Sequence, residues 1–107
     1  MKYQHLWSDL HSNIHHNQMN QLMDWYRHAK KIMDFWPIAY YPFGIRFTET
    51  GAELEDLQPA DVLEADWKKI LELARYAREE GWPLFPGYEW QGNGSDGDHN
   101  VFFPGTE

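Results

Sequence analysis

The spacing of apolar and polar positions along this chain predicts two amphipathic helices. Between residues 19 and 33 the apolar positions recur at steps of three and four, which is typical of a helix with one buried face. A second stripe of the same kind follows Pro59 over residues 60–80, and Gly81 is the expected stop. The apolar stripes consist of Met19, Leu22, Met23, Tyr26, Ala29, Ile32 and Met33, and of Val62, Leu63, Trp67, Ile70, Leu71, Ala74 and Ala77.

Short apolar and aromatic runs on either side of these helices predict four strands. The first is marked by Tyr3, Leu6 and Trp7, and the third ends at Glu89. The predicted strands cover residues 2–10, 38–41, 82–88 and 101–103.

Two further segments show no strand or helix period. Residues 43–58 contain two glycines and polar residues without a sustained repeat, so we expect a long loop, and loops of that length are usually functional or mobile. Residues 91–97 hold three glycines and are expected to form a turn before the last strand. The predicted order is therefore β-α-β-α-β-β, in which each helix connects two parallel strands.

Composition and charge narrow the classes of protein to which the chain can belong. At 107 residues it is at most one small domain. A net charge of −8 with no basic cluster argues against nucleic acid as a partner, and no apolar run is long enough to span a membrane. The absence of cysteine excludes a disulfide, a thiolate nucleophile and a cysteine-based zinc site. Without an apolar segment of signal-peptide type, a cytoplasmic location is the default expectation.

Side chains that suit metal ions are concentrated in two segments. Residues 8–16 carry one aspartate and three histidines, and residues 87–100 carry Glu89, Asp96, Asp98 and His99. Histidine is the commonest side-chain metal ligand, and carboxylates suit hard cations. We therefore expect the fold to bring the two segments together around a metal.

The predicted topology indicates which of these residues meet. Ligands in parallel α/β folds bind at the carboxyl ends of strands, where His11 and Glu89 are predicted to lie. His99 enters the last strand after a short turn and can face the same rim. The predicted metal ligands are His11, Glu89 and His99, within a few ångströms of one another. The candidates for additional ligands or supporting residues are Asp9, Asn13, His15, His16 and Asp98.

Each candidate also has an ordinary structural interpretation. A single histidine is more often a surface or satisfied core residue than a ligand, and His5 and His28 are assigned to that role. Asp96 and Asp98 can be turn formers, since Asp-Gly favours tight turns. The tryptophans and methionines are expected mainly in the core, although Trp36, Tyr40, Tyr41 and Trp90 could line a pocket for a sugar ring or a nucleobase.

The residues resemble a known family in their order and spacing. Asp9-Leu10-His11 beside a strand, Pro86-Gly87-Tyr88-Glu89 at the end of a later strand, and His99 entering the next strand resemble the N-terminal part of the PHP domain. This is the polymerase-and-histidinol-phosphatase superfamily of metal-dependent phosphoesterases. The resemblance covers nearly all of residues 1–107, which would then be the N-terminal portion of a single PHP-like domain.

The resemblance implies an incomplete, distorted, TIM-like β/α barrel of PHP type with divalent metal at its rim, namely zinc, manganese, iron or magnesium. It implies hydrolysis of a small-molecule phosphate ester by metal-bound water. By position, His11 looks like the first histidine of the family's first motif, and Glu89 like a carboxylate that bridges two metals. His99 looks like the histidine that follows it, and Asp9 like a supporting residue.

Departures from the family pattern qualify that expectation. Asn13 stands where the family has a second histidine, and Tyr40 and Tyr41 stand where it has an Asp-His pair. We therefore expect fewer and more weakly bound metals than a complete PHP site holds.

Later family ligands would lie beyond Glu107. Residues 1–107 alone are thus expected to be unstable, self-associating through an exposed sheet edge or molten, without measurable phosphoesterase turnover. The alternatives to a hydrolase are a non-catalytic PHP-like module that binds a sugar or nucleotide, and an inactive fragment.

Overall fold

The computed structural model describes residues 3–42, 44–55, 57–90 and 98–105, and it confirms a mixed α/β architecture. A 3-10 helix, His16–Gln21, follows the first strand and leads into helix α1 (Leu22–Ile32), and helix α2 spans Ala60–Glu79. The strands are β1 (Ser12–His15), β2 (Trp36–Tyr41), β3 (Gly44–Thr48), β4 (Gly51–Glu55), β5 (Leu84–Phe85), β6 (Gly87–Trp90) and β7 (His99–Phe102).

Five of these strands form an open sheet in the order β1-β2-β6-β7, with β5 also pairing with β2. The pairs β1–β2, β2–β5 and β2–β6 are parallel, and β6–β7 is antiparallel. The predicted parallel βαβ core is therefore confirmed. Within the described ranges the sheet does not close, because β1 and β7 are its two edges.

Both helices pack on one side of this sheet. Ile14, Ile38 and Tyr40 belong to the same buried cluster as Tyr26 of α1 and Ile70 of α2. Side chains alternate between the two faces along a strand, so Ala39 and Tyr41 lie on the other side, and neither is part of that cluster. We call this second side the helix-free face.

The two predicted helices are confirmed by their buried residues. In α2 the stripe positions Ile70, Ala74 and Ala77 are fully buried, and the helix ends before Gly81, whose φ of 78° lies in the left-handed region that glycine tolerates. The segment predicted as the first helix begins with the 3-10 turn and continues as α1.

The predicted first strand at residues 2–10 is wrong. The described residues 3–11 contain no strand, and Tyr3, Leu6 and Trp7 are exposed. Their spacing is not the period of two that a half-buried strand requires. The actual strand is Ser12–His15, whose only large apolar residue, Ile14, is fully buried. As a consequence, His11 precedes the first strand and does not follow it.

The predicted loop at residues 43–58 is also wrong, because most of it is an antiparallel hairpin. Strand β3 pairs with β4, and Arg46 lies opposite Glu53 with Nη2 2.6 Å from Glu53 Oε2. A second ion pair joins Arg46 Nε to Glu55 Oε1 at 3.3 Å. Apolar and polar residues alternate over residues 45–48 and 52–55, so the sequence carries a short strand signal on either side of the turn, which the loop prediction missed.

The last predicted strands exist with altered bounds. The predicted strand at residues 82–88 is divided into β5 and β6 at Pro86, which has no N–H for a sheet hydrogen bond. The carbonyl of Pro86 instead accepts a hydrogen bond from the N–H of Phe103 at 2.8 Å. The final strand begins at His99, earlier than predicted. The predicted turn at 91–97, including Asp96, lies outside the described residues.

A contact between the two helices makes stability depend on pH. The Tyr26 hydroxyl donates to Glu80 Oε1 at 2.6 Å, and Lys30 Nζ lies 3.4 Å from the same oxygen. The hydrogen bond from Tyr26 and the charge of Lys30 lower the pKa of Glu80 from its ordinary 4.5. Below pH 4.5 the unfolded chain binds the proton first, so stability falls as the pH drops through the folded-state pKa.

We expect Tyr26→Phe to weaken this acid-side dependence, because the carboxylate loses its main hydrogen-bond donor. Urea unfolding measured at several pH values below 4.5 should give a shallower slope of stability against pH for Tyr26→Phe than for the wild type. Tyr76→Phe is a matched control, since its ring packs edge-on against Tyr26. Equal slopes for Tyr26→Phe and the wild type would contradict the assignment.

Candidate functional site

The strand registers place polar side chains side by side on the helix-free face. Asn13 of β1 pairs with Ala39 of β2, and His15 pairs with Tyr41. Tyr40 pairs with Tyr88, so the next residues along β2 and β6, Tyr41 and Glu89, are also neighbours. By alternation, these side chains share the face on which neither helix packs.

One group of polar side chains on this face joins three residues. His11 Nε2 lies 3.5 Å from Glu89 Oε2 and 3.3 Å from Asn13 Nδ2. The Glu89 side chain is only 5% exposed, whereas that of His11 is 62% exposed, so the imidazole lies between the carboxylate and solvent. The arrangement is a buried carboxylate that is covered on its solvent side by an exposed histidine.

Two oxygen atoms of this group are buried without a hydrogen-bond partner in the described parts of the chain. They are Glu89 Oε2 and Asn13 Oδ1. Buried polar groups are normally satisfied, and an unpaired one costs on the order of 1–3 kcal/mol. The two oxygens and the imidazole nitrogen therefore form a set of donor atoms whose bonding is incomplete.

Backbone contacts hold His11 in place although no strand contains it. The His11 N–H donates to Asp9 Oδ1 at 2.9 Å, which bends the chain just before β1. Asn100 Nδ2 donates to the carbonyl of Leu10 at 2.9 Å, and Asn100 is the register partner of Glu89. The segment that carries His11 is thus attached directly to the strand pair that carries Glu89.

The helix-free face is negatively charged where Tyr41 and Glu89 meet. Burial raises the pKa of Tyr41, and the negative charges of Glu89 and Asp98 raise it further. The phenol therefore stays neutral at physiological pH, and the charge comes from the two carboxylates. His15 packs edge-on against Tyr41, with 4.8 Å between ring centroids.

The structure brings together two of the three predicted metal ligands. His11 and Glu89 are in contact, but His99 is the register partner of Trp90, and their rings lie 5.4 Å apart. Because Trp90 follows Glu89 in the strand, this pairing places His99 on the helix-packed side of the sheet. No group of three His, Asp or Glu side chains within the described ranges is arranged to hold a metal.

The supporting candidates are distributed over several environments. Asn13 belongs to the central group, Asp9 orients the His11 backbone, and Asp98 acts on Tyr41 through its charge. His16 lies elsewhere, in a cluster that the sequence analysis missed.

That cluster centres on Asp66 of α2, which is only 3% exposed. His16 Nδ1 lies 2.5 Å from Asp66 Oδ2, and the Tyr40 hydroxyl donates to the same oxygen at 2.5 Å. The signal available in the sequence was an acidic residue within the apolar stripe, between Leu63 and Ile70. The cluster joins the carboxyl end of β1, β2 and α2 on the helix-packed side.

The four aromatic residues proposed to line a pocket do not share one face. Trp36 and Tyr40 are buried within the helix-side core, and Tyr41 lies on the helix-free face. Trp90 is exposed and packs against His99. They therefore do not surround a common cavity.

Comparison of the chain with protein-family models, with curated proteins and with solved structures gives no match. Among the described helices, none has the length and apolar character needed to cross a membrane. The assignment of function therefore depends on the geometry of the helix-free face.

Proposed function

We propose that this chain is a divergent PHP-like, metal-dependent hydrolase of phosphate esters, and that His11, Asn13 and Glu89 hold one divalent cation. One observation carries the proposal. A buried carboxylate oxygen of Glu89, without a hydrogen-bond partner among the described residues, lies 3.5 Å from an exposed imidazole. A cation at this position would provide the carboxylate oxygen with a partner that the described residues do not supply as a hydrogen bond.

The donor set suits a single ion and not a metal cluster. It contains an imidazole nitrogen, a carboxylate oxygen and an amide group, a mixture compatible with zinc, manganese, iron or magnesium. A half-turn of the Asn13 amide exchanges its oxygen and nitrogen, so the oxygen can occupy the position now 3.3 Å from His11 Nε2. With three protein ligands, further positions would remain for water or substrate.

The protein residues set the order in which ligands bind. Glu89 and Asp98 make the helix-free face anionic, while Tyr41 remains neutral. A phosphate ester would be repelled by this face until a cation is present. A bound divalent cation would supply the Lewis acid and the activated water of the reaction. The protein's contribution is to orient that cation through Glu89 and His11.

Titration calorimetry with Mn²⁺ and Zn²⁺ tests the metal site. We expect one weak site per chain, and we expect Glu89→Gln to reduce its affinity by at least about tenfold, since the amide removes the buried negative charge. Glu64→Gln, an exposed acid on α2, is the matched control and should bind like the wild type. Circular dichroism of each variant would show whether the fold is retained. Unchanged affinity in folded Glu89→Gln would refute the assignment.

Binding of inorganic phosphate together with turnover of p-nitrophenyl phosphate separates the hydrolase from the alternative binding module. We expect phosphate to bind only when Mn²⁺ or Zn²⁺ is present, because the metal-free face is anionic. Metal-dependent release of p-nitrophenol from p-nitrophenyl phosphate, lost in Glu89→Gln, would support hydrolysis. Metal-dependent phosphate binding without such release would favour a non-catalytic module.

A further inference from the structure

A cavity of about 460 Å³ lies on the helix-packed side, between α1, β2 and the segment that leads into β1. Pockets of about 300–1,000 Å³ are typical of small-molecule sites. Neither His11, Asn13 nor Glu89 is among the described residues that line it. It is therefore distinct from the site on the helix-free face.

The walls of this cavity are aromatic and apolar. Trp25, Ala29 and Met33 contribute from α1, and Trp36 contributes from β2. Trp25 is half-buried, whereas Trp36 is only 2% exposed. The negative faces of indole rings attract cations, and tryptophan is the strongest of the aromatic residues in this respect.

The charge of the cavity also favours a cation. Its polar lining residues are Asp9, Ser12 and His28, and no lysine or arginine is found among the lining residues that the structure describes. Asp9 Oδ1 accepts the His11 N–H, which holds the carboxylate at the cavity rim. A carboxylate beside two indoles is complementary to an ammonium group surrounded by apolar carbon.

A second observation concerns the indole of Trp36. Its Nε1 is buried, and no acceptor for its N–H is present among the described residues. An unsatisfied buried donor is unusual in a native fold. A ligand hydroxyl would offer an acceptor that the described residues do not provide, once the cavity wall shifts enough to expose this nitrogen.

We propose that this cavity binds a small organic cation of the amino-alcohol class. The ammonium group lies against the indole of Trp25 and the carboxylate of Asp9, and a shift of the cavity wall on binding lets the hydroxyl accept the Trp36 N–H. The site uses none of the residues that would hold the metal, and it shares with the proposed metal site only Asp9, which positions the His11 backbone.

Three small probe molecules separate the contributions of the positive charge and of the hydroxyl group to the binding affinity. Choline carries the charge and the hydroxyl, tetramethylammonium carries only the charge, and 3,3-dimethyl-1-butanol is the neutral counterpart of choline. With EDTA present to remove metal, we expect choline to give a saturable change in tryptophan fluorescence and a calorimetric isotherm. Choline should bind at least about tenfold more tightly than the neutral alcohol, and more tightly than tetramethylammonium.

Two variants assign the binding to this cavity. Asp9→Asn keeps an oxygen that can accept the His11 N–H but removes the charge, and it should weaken choline binding about tenfold. Asp24 is an exposed acid of α1 that does not line the cavity, and Asp24→Asn should bind choline like the wild type. Equal affinity for choline and the neutral alcohol, equal loss in both variants, or no saturable choline binding would overturn the proposal. Equal affinity for choline and tetramethylammonium would overturn the role of Trp36.

Discussion

Replacing Asp66 with alanine is expected to lower the free energy of unfolding by about 3 kcal/mol or more. The Asp66 carboxylate is buried and accepts the hydroxyl of Tyr40, which is itself only 4% exposed. Because a carboxylate only accepts hydrogen bonds, the proton between it and His16 belongs to Nδ1 of the histidine. The alanine variant leaves both donors without this acceptor, and the buried hydroxyl of Tyr40 cannot readily gain a water molecule in its place.

Urea unfolding followed by circular dichroism measures this effect. Asp66→Asn retains an oxygen acceptor for Tyr40 and should lose less stability than Asp66→Ala. Glu64→Ala removes an exposed acid two residues earlier on α2, whose contact with Lys68 contributes only a few tenths of a kcal/mol. If Asp66→Ala lost no more stability than Glu64→Ala, the cluster would not contribute to stability.

The environment of this cluster also changes the pKa of Tyr40. Burial raises the pKa of Tyr40, and the hydrogen bond to Asp66 and the charge of that carboxylate raise it further. The tyrosine therefore remains a hydrogen-bond donor throughout the physiological pH range. This fixed donor explains why a carboxylate can occupy a position in the apolar stripe of α2.

The helices were predictable because their signal is local and repeated. Ile70, Ala74 and Ala77 follow one another at helical steps, and the core buries all three. Strand β1 had no comparable signal, since it contains one large apolar residue, Ile14, among polar neighbours. Residues 2–10 contain more apolar side chains than β1, so hydrophobicity alone predicts the strand in that exposed segment.

The candidate site was predictable in part for the same reason. Glu89 lies in a strand whose apolar flanks are evident in the sequence, and His11 lies next to the start of another. The side of the sheet on which His99 lies depends on its register with Trp90, and a shift of one residue would reverse it. No periodicity in the sequence determines that register, so the placement of His99 on the side of the sheet away from His11 and Glu89 could not be derived.

Gly87 illustrates a constraint that only the assembled sheet reveals. It begins β6, between β2 and β7, and a methyl group added to it would overlap the carbonyl oxygen of Val101 and lie 2.7 Å from that of Ile38. Both atoms belong to the backbone of neighbouring strands, so neither can move aside as a flexible side chain would. The absence of a side chain at this position thus allows the strand that carries Glu89 to fit between its neighbours.

We therefore expect Gly87→Ala to lower the free energy of unfolding by about 3 kcal/mol or more, since the substitution must separate β6 from β2 or β7. Gly81→Ala is the matched control, because Gly81 has no atom within 4 Å of the added methyl group and only its φ of 78° is unfavourable. That variant should lose about 1–2 kcal/mol of unfolding free energy.

Urea unfolding of both variants would measure the two losses. A loss for Gly87→Ala no larger than for Gly81→Ala would show that the sheet can relax around the new side chain. Because Glu89 follows two residues later in the same strand, any folded Gly87→Ala protein should also bind Mn²⁺ more weakly than the wild type.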